Sequence, residues 1–253
     1  MWKICEIIND WYDDGKENRR IREVLFEEVC NARVLVRGEL VHWDHSQPSG
    51  NPLTVIVNSL FNQIVMRYAY MTCKREALLP MTCDFRKNVS LQTYGDDNVL
   101  NIAPLALEWY NQNTISSALA SIGMIYTDEN KNEVVENSRG LGKVSFLKRQ
   151  FVKNEAGFFE GPLELAVCKE MPNWIREVPM TGKSATFENT LAAMREIFFH
   201  GKKEFNACHA IVTQHLRSEG IYERVPEYVE FKSIFNADYF DTTKIPPAIT
   251  FIT

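Results

Sequence analysis

Apolar residues recur at three- and four-residue steps from the start of the chain. Ile4, Ile7, Ile8 and Trp11 share one face and predict an amphipathic helix over 1–14, stopped near Asp13-Asp14-Gly15. A second helix is expected over 18–31, with Ile21, Val24, Leu25 and Val29 on its buried side and Glu27 and Glu28 on the flanks. From 32 to 37 the period shortens to two. Val34 and Val36 alternate with Arg33, Leu35 and Arg37, and Gly38 turns this strand into Leu40-Val41-His42-Trp43, a hairpin. A loop rich in turn residues, Ser46-Gln47-Pro48-Ser49-Gly50-Asn51-Pro52, then leads into a long helix over 53–71.

The next alternation spans 85–102. Val89-Ser90-Leu91-Gln92-Thr93 and Asn98-Val99-Leu100-Asn101-Ile102 flank Tyr94-Gly95-Asp96-Asp97, which reads as a tight hairpin with two carboxylates at its tip. A helix over 111–122, a short strand over 124–126 and a strand over 143–152, hairpinned to 157–159, follow. After Gly161-Pro162 the pattern turns helical and stays so, over 163–171, 185–200, 203–217 and 226–235, before an extended tail at 246–251. The fold class expected is α+β, antiparallel hairpins packed on helices, followed from a boundary near 160 by an all-α part.

Composition narrows the picture only a little. The chain has 253 residues, 45% hydrophobic and 24% charged, which suits a globular protein with a full core. A net charge of −5 gives no overall basic signature for nucleic acid, although a local groove can be basic in an acidic protein. Cys5, Cys30, Cys73, Cys83, Cys168 and Cys208 are scattered without metal-binding spacing, which fits a reducing compartment. No signal peptide or transmembrane segment is read. The first helix opens already in period, so the natural start is expected to lie upstream of Met1.

Four groups carry candidate chemistry. Asp96 and Asp97 repel when both are ionised, and hard carboxylate oxygens suit a compensating Mg²⁺ or Mn²⁺. A solvated Gly-Asp-Asp turn is the commoner use of that tripeptide. Ser49-Gly50 ends a loop at a helix start, with Thr54 and Asn58 one turn apart on the helix. Two hydroxyls and an amide converging there could read a ribose 2′-OH or place a phosphate. Ordinary capping by Ser49 or Asn51, with Pro52 at an early helical position, also explains them. Lys131 sits in the polar loop Asp128-Glu129-Asn130-Lys131-Asn132, where most lysines are simply solvated. Phe146-Leu147-Lys148-Arg149 places two cations after an apolar pair, and on a hairpin edge these could touch a phosphate backbone.

Two decoys fall away. Thr181-Gly182-Lys183-Ser184 resembles the end of a P-loop, but the glycine that motif needs would fall at Glu177 and no strand precedes it. His42, Asp44 and His45 cluster without any nucleophile context.

The order of the four groups is itself informative. A Ser-Gly loop entering a Thr/Asn helix, a Gly-Asp-Asp hairpin, a helix-strand-Lys unit, Phe-Leu-Lys-Arg and a helical domain resemble the RNA-dependent RNA polymerases of picorna-like positive-strand RNA viruses. Gln47-Pro48-Ser49-Gly50-Asn51-Pro52-Leu53-Thr54 is most similar to the insect dicistrovirus group. The resemblance covers essentially the whole chain. It implies a partial palm over 1–160 and a thumb over 161–253. Ser49, Gly50, Thr54 and Asn58 would match motif B, which handles template and NTP ribose. Asp96 and Asp97 would match motif C, Lys131 the motif D lysine, and Phe146, Leu147, Lys148 and Arg149 the primer grip of motif E.

The resemblance also implies two Mg²⁺ ions about 3.5–4 Å apart, one side held by Asp96. The primer 3′-OH would attack the α-phosphate in line, and Lys131 would protonate the leaving pyrophosphate. RNA template, primer and NTPs are the implied partners, in replication complexes of the host cytoplasm. The upstream aspartate pair of motif A is not matched: Asp10, Asp13 and Asp14 lie on a helix or its end, too close to Ser49. That motif and the fingers are expected upstream, and the chain alone is expected to be inactive. Two rival readings are a non-catalytic RNA- or partner-binding fragment or decayed viral insert, and a small Mg²⁺-dependent phosphoesterase using Asp96 and Asp97 alone.

Overall fold

The computed structural model describes residues 1–44, 46–132, 136–154, 157–175 and 182–240, with side chains to 235. His45, Thr181, Glu177 and the tail over 246–251 lie outside the described residues. The chain forms two compact units, Met1–Arg139 and Gly140–Thr253.

In the first unit, α1 (Trp2–Tyr12) and α2 (Lys16–Cys30) precede a hairpin of β1 (Arg33–Val36) and β2 (Glu39–His42). Arg37 and Gly38 both take positive φ, 51° and 88°, the pattern of a type I′ turn. The long helix α3 (Thr54–Glu76) follows, then a single turn α4 (Phe85–Asn88), the hairpin β3 (Val89–Tyr94) and β4 (Asp97–Ile102), another single turn α5 (Pro104–Leu107), and α6 (Gln112–Ala120). Asn111 caps α6 with a capping box, its side chain accepting from the Asn113 and Thr114 amides while the Thr114 hydroxyl accepts from the Asn111 amide.

Helix α3 is the axis of this unit, buried on more than one side. Near its N-terminus Val57 packs with Ile4, Cys5, Phe26 and Cys30 of α1 and α2. Further along, Val65, Met66, Ala69, Tyr70 and Cys73 form a core with Phe85, Val89 and residues of α6. Tyr70 meets Phe85, Trp109 and Tyr110 edge-on, with centroids 5.0–5.1 Å apart.

Three expectations change. The buried side of α2 is Phe26 and Cys30, whereas Ile21, Val24 and Leu25 are exposed. Helix α3 runs past residue 71 to Glu76, because the buried Lys74 near its end is neutralised by Asp84 at 2.6 Å. Residues 124–126 pair with no strand among the described residues; Met124 and Tyr126 instead pack on the α3 core.

In the second unit the expected strand over 143–152 is folded on itself. β5 (Ser145–Phe146) pairs with β6 (Arg149–Gln150) across a two-residue turn, and β7 (Val152–Lys153) pairs with β8 (Phe159–Glu160). Leu147 and Lys148 both take positive φ, at 54° and 62°, and make that turn without a glycine to signal it. Among the described residues four helices follow, α7 (Leu165–Glu170), α8 (Gly182–Ile197), α9 (Lys202–Ser218) and α10 (Tyr228–Phe240). Their core centres on Met194, Phe198, Phe205 and Phe231. These hairpins group with the helices in the second compact unit: the Gln150 amide donates to the Pro162 carbonyl and Arg149 bridges to Leu163.

Candidate active site

The hairpin tip Gly95-Asp96 is built by local backbone chemistry. Tyr94 and Asp97 are the last paired residues, leaving a two-residue loop. Gly95 takes φ +58°, and glycine at the first position of such a loop suits a type II′ turn. Both aspartates are exposed.

A line of polar side chains on α3 then docks the tip. The Ser59 hydroxyl accepts from the Gly95 amide at 2.8 Å. The Asn58 amide donates to the Asp96 carboxylate at 3.0 Å. Asn62, buried, donates to the carbonyl of Asp96 at 2.9 Å and lies within reach of those of Gly95 and Asp97 at 3.2 and 3.4 Å. Gln63 donates to the Thr93 hydroxyl at 3.2 Å. Residues 58, 59, 62 and 63 occupy one helical face, which is why one helix can grip one turn.

The grip extends behind the turn. Asn98 donates to the Asn62 carbonyl oxygen at 3.1 Å, and the Tyr126 hydroxyl donates to Asn98 at 2.9 Å. Loss of water around the Tyr126 phenol pushes its pKa up to about 12, so it remains a donor at neutral pH. Ser59, Asn62, Asn98 and Tyr126 escape sequence reasoning. The signal that could have found them is the four-residue spacing of Asn58 and Asn62 opposite a polar turn.

The loop before α3 is also built by hydrogen bonds. The Thr54 hydroxyl donates to the Asn51 carbonyl at 2.7 Å and also lies 3.2 Å from that of Pro48, while the Asn51 side chain accepts from the Leu53 amide at 2.8 Å. Thr54 therefore braces the loop. Ser49 and Gly50 stand exposed at its bend, with Gly50 at φ +90°.

Lys131 is exposed, at φ +62°, in a turn whose carbonyl at Asp128 accepts the Lys131 amide at 3.0 Å. The Asp128 carboxylate accepts from the amides of Asn130 and Asn132 at 2.9 and 2.8 Å. Those bonds, with Asn132 first, hold its carboxyl below the usual carboxylate range. Asn58 and Asp96 are thus brought into contact, whereas no hydrogen bond or ion pair described joins Lys131 to the acidic turn.

In the second unit, Leu147 and Lys148 stand exposed at their turn. The Arg149 guanidinium makes a two-pronged pair with Glu196, at 2.9 and 2.8 Å, and donates to the Gly161 carbonyl at 2.7 Å. Outside these groups, the six cysteines are all free, and His42 lies 3.5 Å from Asp44 on the exposed edge of β2. Among the described residues no helix is long and apolar enough to cross a membrane.

The structure is similar to that of the Sicinivirus 3Dpol RNA dependent RNA polymerase, with a TM-score of 0.62 at 14% identity, over 87% of this chain and 43% of that one. The chain therefore shares its fold with part of that polymerase. Residues 4–214 match the family described as viral RNA-dependent RNA polymerase, and the chain belongs to that family. It is 36% identical over 87% of its length to the replicase polyprotein of Cricket paralysis virus, and 40% identical over 84% to that of Drosophila C virus. The likeness to the dicistrovirus group expected from the Gln47–Thr54 wording is borne out. The chain spans 12% of each of these polyproteins.

Proposed function

We propose that these residues are the palm, over 1–160, and the thumb, from 161, of a viral RNA-directed RNA polymerase that performs template-directed nucleotidyl transfer in genome replication and transcription. The observation that carries this reading is the hydrogen bond from Asn58 to Asp96. It supports the reading by joining a helix amide to an acidic turn, in a chain of the viral polymerase family.

Asp96 and Asp97 offer hard carboxylate oxygens, the donor chemistry that suits Mg²⁺ or Mn²⁺. Among the described residues no group of three acidic, His or Cys side chains comes together, so further ligands would come from elsewhere in the polymerase. The relatives' far greater length makes room for them. When bound, such ions supply charge neutralisation on the attacking and leaving oxygens.

The chain's own residues divide the remaining work. Asp96 is the principal ligand and Asp97 a supporting charge. Asn58 accepts the ribose 2′-OH of the incoming NTP, beside Ser49 and Gly50 on the loop that Thr54 braces. Lys131 gives a proton to the leaving pyrophosphate. The turn Phe146-Leu147-Lys148-Arg149 carries the primer strand, with Lys148 as its exposed cation. RNA template, primer and NTPs are the partners, in replication complexes of the host cytoplasm.

In a complete polymerase containing this chain, Asp96→Ala should abolish RNA synthesis in a primer-extension assay. Near-normal elongation would sink the ligand assignment. Residues 1–253 alone should not polymerise; measurable synthesis would show that no further carboxylates are needed.

A further inference from the structure

Arg149 stands in the stretch assigned to the primer, yet its guanidinium is engaged inside its own unit. Nη1 donates to the Gly161 carbonyl at 2.7 Å and to Glu196 Oε2 at 2.9 Å, and Nη2 donates to Glu196 Oε1 at 2.8 Å. The pair is bidentate, the geometry in which a guanidinium is most firmly held. Glu196, on α8, is mostly buried at 19% side-chain exposure.

The turn next to Arg149 needs holding. Leu147 and Lys148 both sit in the left-handed region, at φ 54° and 62°, which side chains with a β carbon rarely adopt. The ladder that closes the turn has only two residue pairs, Ser145 with Gln150 and Phe146 with Arg149. A ladder that short does not hold two unfavourable residues alone. Among the described residues, further hydrogen bonds hold its second strand: the Arg149 side chain to Gly161 and Glu196, the bridge to Leu163, and the Gln150 amide to the Pro162 carbonyl at 3.0 Å.

We propose that Arg149 is a positioning residue, a strut that locks the Leu147-Lys148 turn to α8 through Glu196, and that Glu196 is thereby required for primer binding. This rests on the polymerase reading above. Contact with the primer phosphates then falls to Lys148 and not to Arg149. The two roles make opposite forecasts for an acidic residue. By charge alone, removing Glu196 favours a polyanion. As the anchor of a strut, its removal releases the turn and weakens primer binding.

The test uses the complete polymerase, measuring the KM for primer–template, the KM for NTP and kcat in single-nucleotide extension. Arg149→Gln and Glu196→Gln should each raise the primer–template KM by about tenfold, with the NTP KM unchanged, as expected when an interaction of ordinary size is lost. The double variant should be no worse than Arg149→Gln alone, because losing Arg149 already removes the contact that Glu196→Gln weakens. Exchanging the pair, Arg149→Glu with Glu196→Arg, restores the ion pair without the bond from residue 149 to the Gly161 carbonyl, and should bring the primer KM below that of Arg149→Gln without reaching the parent's. That exchange also covers the case in which a single variant folds poorly. Two results overturn the strut: Glu196→Gln binding primer as well as the parent or better, or an exchanged pair that folds but is no better than Arg149→Gln. No template-directed RNA synthesis by the complete parent polymerase would instead overturn the polymerase reading itself.

Discussion

The side-chain amide of Asn58 donates to the carboxylate of Asp96 across 3.0 Å, joining α3 to the tip of the β3–β4 hairpin over 38 positions of sequence. The amide has only one sensible orientation, because turning it over would set its oxygen against a carboxylate oxygen. With its nitrogen committed to Asp96, Asn58 offers its carbonyl oxygen as an acceptor. A ribose 2′-hydroxyl can donate to it and a deoxyribose cannot.

Asn58→Ala should therefore narrow the preference for NTP over dNTP, by about tenfold for one lost hydrogen bond. Asn58→Asp should do more harm, since it places a second carboxylate against Asp96 and raises repulsion at the turn. Single-nucleotide incorporation with matched NTP and dNTP separates the cases. An unchanged ratio in Asn58→Ala would leave Asn58 a purely structural residue.

Behind that contact, Asn62, Asn98 and Tyr126 act as one network. Asn62 has its amide on the turn carbonyls and its oxygen on Asn98, which in turn accepts from Tyr126. Asn62→Leu strands the Asn98 amide and frees the tip, so it should cost about 1–3 kcal/mol in unfolding and lower kcat more than it raises KM. Tyr126→Phe should act in the same direction and more weakly. The combined variant should fall short of the sum, as members of one network do. Additive losses in both unfolding free energy and kcat would show that Tyr126 and Asn62 act separately.

What could be read in advance follows from which interactions are local. Alternation of period two around Gly95-Asp96 declares the hairpin and its register, and the Ser-Gly loop declares the start of a long helix. The grip between them is not legible, because Asn62 and Asn98 look like any surface amides until the fold brings them within 3.1 Å. The pattern ends α3 too early because Lys74 looks like a helix-ending surface lysine, and only Asp84 from a later loop makes its burial tolerable. The stretch over 143–152 looks like one strand in sequence because its bend falls on Leu147 and Lys148, residues that carry no turn chemistry. On α2 the periodicity is real, but its Ile21, Val24 and Leu25 meet no core among the described residues, so pattern alone chose the wrong side.

Lys74 and Asp84 provide a test of stability independent of catalysis. Lys74 is 4% exposed and is held by Asp84 at 2.6 and 2.8 Å and by the Thr82 hydroxyl at 2.7 Å. Hydrogen bonding from Lys74 leads in holding the Asp84 carboxyl down at about 2, with Tyr70 and Thr82 helping. A depressed carboxyl stabilises the fold above its unfolded pKa, near 4, and that contribution is lost as pH falls toward about 2. Asp84→Asn should cost about 3–5 kcal/mol at neutral pH by leaving Lys74 buried without its counter-charge. It should also flatten the acid limb of the stability profile. Adding Lys74→Met should recover much of the loss. Urea unfolding between pH 2 and 7 measures both effects, and a wild-type acid limb in Asp84→Asn would assign the acid sensitivity to other carboxylates.

Lys131 is held where its ammonium faces solvent by a turn that the Asp128 carboxylate organises through two backbone amides. A general acid must give up its proton at the moment of bond breaking, whereas a lysine that only attracts RNA need not. Lys131→Leu removes both properties. Lys131→Arg keeps the charge but presents a group that does not release its proton at accessible pH. If Lys131 protonates the leaving pyrophosphate, both variants should slow the chemical step in rapid-quench measurements by about 10- to 100-fold while RNA affinity changes little. Asp128→Ala should produce a weaker loss of the same kind, by loosening the turn and leaving the lysine in place. A rate restored by Lys131→Arg, or a defect confined to RNA affinity, would make Lys131 an electrostatic contact and remove it from the chemistry.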